Sequence, residues 1–595
     1  MKFVEETLST TETGANEQMR TDPILTEIIS NRLLQIGYEG GLVLQRCAVS
    51  PGVVEGRDLG FNISDAQGRT VVYSTWMPRH GTTLSYMLQS CMNRFEDDIR
   101  PGDMYLVNDP HSGALHILDL AVMMPIHHNG ELVAWVGNAT HHVDVGAMTP
   151  GRAPLATDWH QEGIIFKPTR IVENGKIRED IFSLFLDNVR MPRYQSLDLK
   201  AQISANFAAA EKILVLVERY GTAALAQTFE SSIQLAEEQA RERISSLRPG
   251  VYEAVEYLDY DKTYTIRARL TVSEDGLLFD FEGTDEEAKT FINCALPCAV
   301  ANLHNILACQ IFPDLTVNAG TFKLVDVRIP NGTLINCNPP APCSGASTIS
   351  GWRVQGITMA LLTQSLMQTP RQSYAMAQWG WGFTDVQWSG TDQLGRWYTV
   401  RGDASMHGGG ARSNSDGIDV SNIAGSTNTA LPSIESYEYR YPVLYLSRGL
   451  LADSEGAGEF RGGRAGYWSR CLYGVDSASD LSFYIGRDVG ANGYAGGEDG
   501  TPSKIVIKRD TDILERLHGE VPLYEELNGV EEVLAQQPSA LGLKIRRGDV
   551  VYVRGMGGGG FGPPERRDRD AILADLEDGL LSPRRAEEIY GVSAN

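Results

Sequence analysis

Asp103-Met104-Tyr105-Leu106-Val107-Asn108 runs directly into Asp109-Pro110-His111-Ser112-Gly113-Ala114-Leu115-His116-Ile117-Leu118-Asp119, and the reading of this stretch decides the N-terminal half. The apolar run closed by Asn-Asp-Pro reads as a strand entering a polar, Gly-containing loop. Leu118 to Ile126 reads as a second strand, and Glu131 to Gly137 as a third after the Asn129-Gly130 turn. Short turns between successive strands predict antiparallel pairing. Upstream, Gly60 to Val72 shows the same rhythm, a hairpin turning at Asp65-Ala66-Gln67-Gly68.

The same region concentrates imidazole. Eight of the eleven histidines, at 80, 111, 116, 127, 128, 141, 142 and 160, fall between positions 80 and 160. Asn138-Ala139-Thr140-His141-His142-Val143-Asp144 repeats the pairing of His with Asp seen at His116-x-x-Asp119. Neutral imidazoles and a carboxylate arriving from strand ends are the donors a divalent metal requires, and two imidazoles with one carboxylate leave positions open for substrate or water. His116, Asp119 and His141 fit that set. Asp109, His142 and Asp144 are candidates for fixing imidazole tautomers or serving as general base. For any one histidine, satisfying a buried backbone group is the commoner role. His127 and His128 precede a turn and read as solvated loop; His80 either enters the same cavity or caps a turn.

Outward from this centre, Asp22-Pro23 opens a helix running toward Leu44, and Ser196 to Leu247 reads as two helices broken at Gly221 and stopped by Pro249-Gly250. After Pro249 alternating strands predominate, with helical patterns at 291–312 and 352–366 and β-structure with long loops over most of 375–560. Arg569 to Leu576 and the Ser582-Pro583 start signal predict two last short helices. The expected class is α+β: a large mixed protein with antiparallel-rich sheets, a metal-bearing α/β N-terminal half and a β-rich C-terminal half. Its expected divisions are a mobile tail over 1–21, a metal-binding region ending in a helical pair over 22–248, a β-rich region with Gly-rich loops over 249–565, and a helical segment over 566–595.

Composition narrows the function. With 52 basic against 76 acidic side chains among 595 residues, net −24, the chain lacks the basic excess that phosphate backbones demand, which excludes nucleic acid as the expected partner. No apolar run reaches the roughly 18 residues of a membrane helix. Eight cysteines and a polar N-terminus predict reduced thiols in a cytoplasm. Cys294 and Cys298 on an expected helix, and Cys337 and Cys343 around a Pro-rich loop, match no closed zinc site well and read as buried inert thiols. Ser344-Gly345-Ala346-Ser347 resembles an amidase serine loop only loosely. His407-Gly408-Gly409-Gly410 and Gly557 to Gly560 read as structural turns or as an anion cradle. There is no nucleotide-binding glycine loop, so any nucleotide is expected on another subunit.

Taken in order, the motifs resemble one family, the B-type subunits of hydantoinases and 5-oxoprolinases, which is similar to subunits of caprolactamase and of acetone and acetophenone carboxylases. Its marks are Asp22-Pro23-Ile24, Arg57-Asp58, Asn108-Asp109-Pro110-His111-Ser112-Gly113, His116-x-x-Asp119, His141-His142-x-Asp144-x-Gly146, Gln161-Glu162-Gly163, Asn188-Val189-Arg190 and Gly408-Gly409-Gly410-Ala411-Arg412. The resemblance implies that His116, Asp119 and His141 hold a divalent metal, Zn, Mn or Fe. It also implies an A-type partner of actin-like ATPase fold that binds ATP with Mg and phosphorylates the substrate, in an α2β2 assembly. The implied activity is ATP-dependent hydrolysis of a lactam, hydantoin or 5-oxoproline ring. The alternatives are an ATP-dependent ketone carboxylase using bicarbonate and a non-catalytic scaffold subunit. Where the common family form has Gly-Gly-Thr-His, this chain has Gly113-Ala114-Leu115-His116; Leu115 is expected to make the site wall more apolar and to favour an unsubstituted lactam.

Overall fold

Seven antiparallel strands form the sheet that carries the histidines, in the order β2-β1-β5-β4-β3-β6-β7. They are β1 (Leu59–Asp65), β2 (Thr70–Val72), β3 (Met104–Val107), β4 (Asp119–His128), β5 (Glu131–His141), β6 (Thr169–Glu173) and β7 (Lys176–Ile177). The computed structural model describes residues 23–593 apart from residue 75 and the stretches 403–405, 422–430, 518–520 and 535–542. The expected mobile tail over 1–21 lies outside the described residues. Beside the sheet run helices α1 (Pro23–Cys47), α2 (Pro51–Val54), α3 (Pro78–Phe95), α4 (Glu179–Asp187), α5 (Pro192–Tyr220) and α6 (Thr222–Ser245). Gly221 separates α5 from α6 at φ +85, a conformation that costs a glycine least.

Helices cover both faces of this sheet. Leu120, Val122, Val136, Phe61 and Ile63 pack with Leu33, Leu199, Ile203 and Ile213 of α1 and α5. On the other face Ala121, Met123, Trp135 and Ala139 pack with Leu84, Met87, Leu88 and Cys91 of α3. A strand buried on both sides carries no polar alternation, which is why β4 reads as a continuous apolar run. β5 runs four residues past the expected Gly137, to His141. His127 and His128, expected in a solvated loop, instead close β4 as half-buried strand residues.

α6 also begins the second core. Leu225, Phe229 and Ile233 of its first half pack in the first core, while Ala240 and Ile244 join the cluster built on α7 (Leu296–Gln310), α8 (Ser350–Leu366) and a four-stranded sheet. That sheet orders β11-β10-β9-β8, comprising β8 (Gly250–Asp259), β9 (Thr263–Ser273), β10 (Gly276–Asp280) and β11 (Val325–Arg328). Only the β10–β11 pair in it is parallel. Cys294 lies just ahead of α7 rather than on it. Beyond α8 come further antiparallel sheets, the largest made of the five strands at 443–450, 466–472, 550–554, 504–509 and 530–533.

The glycine runs form neither an anion cradle nor simple turns. They lie in extended segments packed backbone against backbone: Gly463 N–H donates to the Gly409 carbonyl, Gly558 to Gly463 and Gly456 to Gly558, at 2.7 to 2.9 Å. A Cβ on Gly408 would sit 1.8 Å from the Gly463 oxygen, and one on Gly558 would sit 2.0 Å from the Gly409 oxygen. The chain closes with the helices Arg569–Glu577 and Pro583–Tyr590, the latter capped as expected by the Ser582 hydroxyl, which accepts from the Arg585 N–H. Among the described residues no helix is long and apolar enough to cross a membrane, and all eight cysteines are free thiols.

Candidate metal centre

Strand register assembles the centre. Asp119 pairs with His141 and Ala121 with Ala139 across β4 and β5, while β1 sets Leu59 opposite Thr140 and so brings Asp58 level with His141. Side chains alternate along a strand, so Asp119 and His141 share the α3 face with Ala121, Met123 and Ala139. His116 joins through a turn in which the Asp119 N–H donates to the His116 carbonyl at 3.0 Å.

The resulting cluster is compact. His141 Nδ1 lies 3.2 Å from Asp119 Oδ1 and His116 Nδ1 lies 3.6 Å from Asp119 Oδ2, with the two imidazole rings nearly perpendicular. One donor atom from each residue lies within 4.8 Å of the others, and no other such group of three occurs among the described residues. Burial pushes the His116 ring down to about 3, more than the neighbouring Asp119 charge restores, so it is a neutral imidazole. Burial alone would raise the Asp119 carboxyl, but the His116 and His141 rings hold it below the usual carboxylate range. His116 Nδ1 is buried without a hydrogen-bond partner. A neutral ring with an orphaned nitrogen beside a carboxylate and a second imidazole fits a divalent cation.

The other three candidates are not brought to the cluster. Asp109 caps the single turn Pro110–Ser112, accepting from the His111 N–H and the Ser112 hydroxyl. His142 follows His141 by one residue and therefore faces the opposite side of the sheet, where its ring nitrogens meet the Gln195 and Gln202 amides of α5. Asp144 accepts from the Arg190 backbone and guanidinium and from the Gly146 N–H. His80 is wholly buried, its Nε2 3.5 Å from Asp58 Oδ1, in space that the missing side chain of Gly60 leaves open. His111 and His160 lie against Trp159, away from the cluster.

Above the cluster lies a cavity of about 250 Å³, with His141 and Asp58 in its lining. Its wall is aromatic and apolar at Met77, Trp352, Phe383, Leu431 and Tyr437, and cationic at Arg79, Arg152 and Arg401. Leu115, expected to supply the apolar wall, packs into the second core instead. Arg401 donates twice to Asp385, at 3.0 and 2.6 Å. Burial pushes Arg152 down to about 9 and lowers Arg79 as well. Of the cavity residues, sequence reading found His141 and met Asp58 only as a motif; it missed the aromatic, apolar and cationic wall. Asp58 was recoverable, because it extends the β1 alternation by one position. Trp352, Phe383 and Arg401 come from segments some 200 or more residues away along the chain, and no local pattern marks them.

The remaining candidates lie outside the cluster. Cys294, Cys298, Cys337 and Cys343 are buried, and burial holds the Cys294 thiol well above its ordinary value. Ser344 accepts from the Ala153 N–H, and its own N–H donates to Glu162. His407 Nδ1 accepts from the Met556 N–H.

A family model described as hydantoinase B/oxoprolinase matches residues 22–564. The chain is 29% identical to the acetophenone carboxylase delta subunit of Aromatoleum aromaticum over 96% of its length and 86% of the relative's. It is 28% identical to the B-type subunit of a putative D-/L-hydantoinase from a Pseudomonas species, covering 96% and 95% of the two chains. The crystal structure of ATP-dependent caprolactamase from Pseudomonas jessenii superposes with a TM-score of 0.86 at 26% identity, covering 97% of each chain.

Proposed function

The chain belongs to the hydantoinase B/oxoprolinase family, and on that premise we propose that it is the subunit housing the ring-opening site of an ATP-dependent cyclic amidase. The observation that carries this reading is the compact His116–Asp119–His141 group, whose His141 lines a largely apolar cavity. An unactivated lactam, hydantoin or oxoproline amide is a poor electrophile, and ATP-driven phosphorylation by an A-type partner, in an α2β2 complex, supplies the activation. His116, Asp119 and His141 would hold a divalent ion, Zn, Mn or Fe. When bound, that ion supplies Lewis acidity toward a carbonyl or water.

This chain's residues do the rest. Asp58, open to the cavity beside His141, takes the proton from the attacking water at its carboxylate, with the His80 ring 3.5 Å away. Trp352, Phe383 and Leu431 bind the hydrocarbon part of the ring and keep bulk water out. Asp109, His142 and Asp144 serve as positioning residues: they fix the loop before His116, the turn after His141, and its junction with Arg190.

A second reading, an ATP-dependent ketone carboxylase using bicarbonate, is favoured by the acetophenone carboxylase delta subunit among the relatives. Incubating the reconstituted complex with ATP, labelled bicarbonate and a panel of lactams and ketones separates the two. Ring-opened amino acid supports the amidase; label retained in a carboxylated ketone replaces it with the carboxylase. Loss of metal in His116→Ala with turnover unchanged would reduce the chain to a scaffold.

A further inference from the structure

Four side chains in the cavity wall carry hydrogen-bond donors that nothing in the protein accepts. They are Arg79 Nε, Arg152 Nε and Nη1, Thr348 Oγ1 and Trp352 Nε1. Each belongs to a residue no more than 8% exposed, and all four residues line the same space. Leaving a buried donor unpaired is unfavourable, and more so for a charged one, so four such side chains lining one cavity point to a ligand that offers acceptors.

Their orientation is held from behind. Arg79 Nη1 donates to the Ser347 carbonyl at 2.8 Å, next to Thr348. Arg152 lies 4.8 Å over the Phe383 ring, which in turn packs edge-on against Trp352. Asp385 does not satisfy Arg152: its carboxylate is taken bidentately by Arg401, and Arg152 Nη1 stays 3.5 Å away. The charges are also uneven. Once the Arg401–Asp385 pair cancels, Arg79 and Arg152 balance Asp58 and Asp119, and a divalent ion on the cluster leaves two positive charges over. A carboxylate cancels one of them; a phosphoryl group cancels both and brings acceptors for several donors.

We propose that the cavity is a phosphoryl-binding subsite in which Arg79, Arg152, the Thr348 hydroxyl and the Trp352 indole N–H hold a dianionic phosphoryl group beside His141. The inference rests on the amidase reading only for the source of that group, a substrate phosphorylated elsewhere in the complex. The ion pair of Arg401 with Asp385 makes it the support of the cradle and not a member.

Calorimetric titration of the metal-loaded full chain with inorganic phosphate, bicarbonate and acetate tests this. The expected result is one phosphate per chain, bound about tenfold or more tighter than either carboxyl anion. Arg79→Gln and Arg152→Gln weaken phosphate by about tenfold with metal content unchanged, and Thr348→Val, which keeps the side-chain shape, weakens it severalfold. Absence of phosphate binding, preference for bicarbonate or acetate, or undiminished binding by Thr348→Val together with either arginine variant overturns the proposal. A complex that opens no lactam while phosphate binding survives sinks the amidase reading alone.

Discussion

His141 and His142 are neighbours with opposite assignments, and a one-residue step along an extended chain is the cause. We therefore expect His116→Ala or Asp119→Asn to abolish stoichiometric divalent metal, measured by mass spectrometry of the purified chain. His142→Ala should keep its metal and lose about 1–3 kcal/mol of stability in urea denaturation, because the Gln195 and Gln202 amides lose a buried partner. The metal-site candidates were legible because His and Asp recur at strand ends. The facing was not, because the end of β5 had to be placed to the residue before parity could assign it. A second prediction concerns Glu162, which accepts from the Cys343 and Ser344 N–H groups. Burial, more than those bonds can offset, pushes its carboxyl up to about 7 from an ordinary 4.5. The native state then holds a proton that the unfolded chain releases between these values, so stability falls as pH rises through this window, by up to roughly 3 kcal/mol. Glu162→Gln should flatten much of that slope in urea midpoints taken from pH 5 to 7.5. A residual slope is expected from Glu455, raised likewise to about 7 by burial.

At the scale of elements, β1 and α3 meet so closely that Gly60 is a spacer. A Cβ there would lie 2.3 Å from the His80 Cβ. Gly60→Ala should displace the first turn of α3, costing about 1–3 kcal/mol in denaturant unfolding. It should also weaken ring opening, since Arg79 and His80 ride on that turn. The N-terminal helices and strands were readable from local periodicity, and so was the Gly221 break. The layering was not: apolar runs such as β4 show burial on two faces without saying which helices provide it. Leu115 shows the same limit, since its neighbour His116 turns to the cluster while Leu115 turns to the second core.

For the whole molecule, the two halves of α6 belong to two cores and join them. We expect one calorimetric transition for the full chain. Ile203→Ala in the first core and Phe279→Ala in the second should each lower that same midpoint, at about 2–5 kcal/mol apiece, and splitting into two transitions would refute the coupling. The cavity is likewise a property of the whole, drawing Asp58 from before β1, Trp352 from α8 and Arg401 from a C-terminal strand. The interleaved glycine segments limit how this protein can change. Every base substitution in the first two positions of a glycine codon installs a side chain or a stop, so Gly408, Gly462, Gly463 and Gly558 form a band where random diversification yields mainly dead clones. A library meant to alter substrate range should spare that band and spend its diversity on Met77, Leu431 and Tyr437.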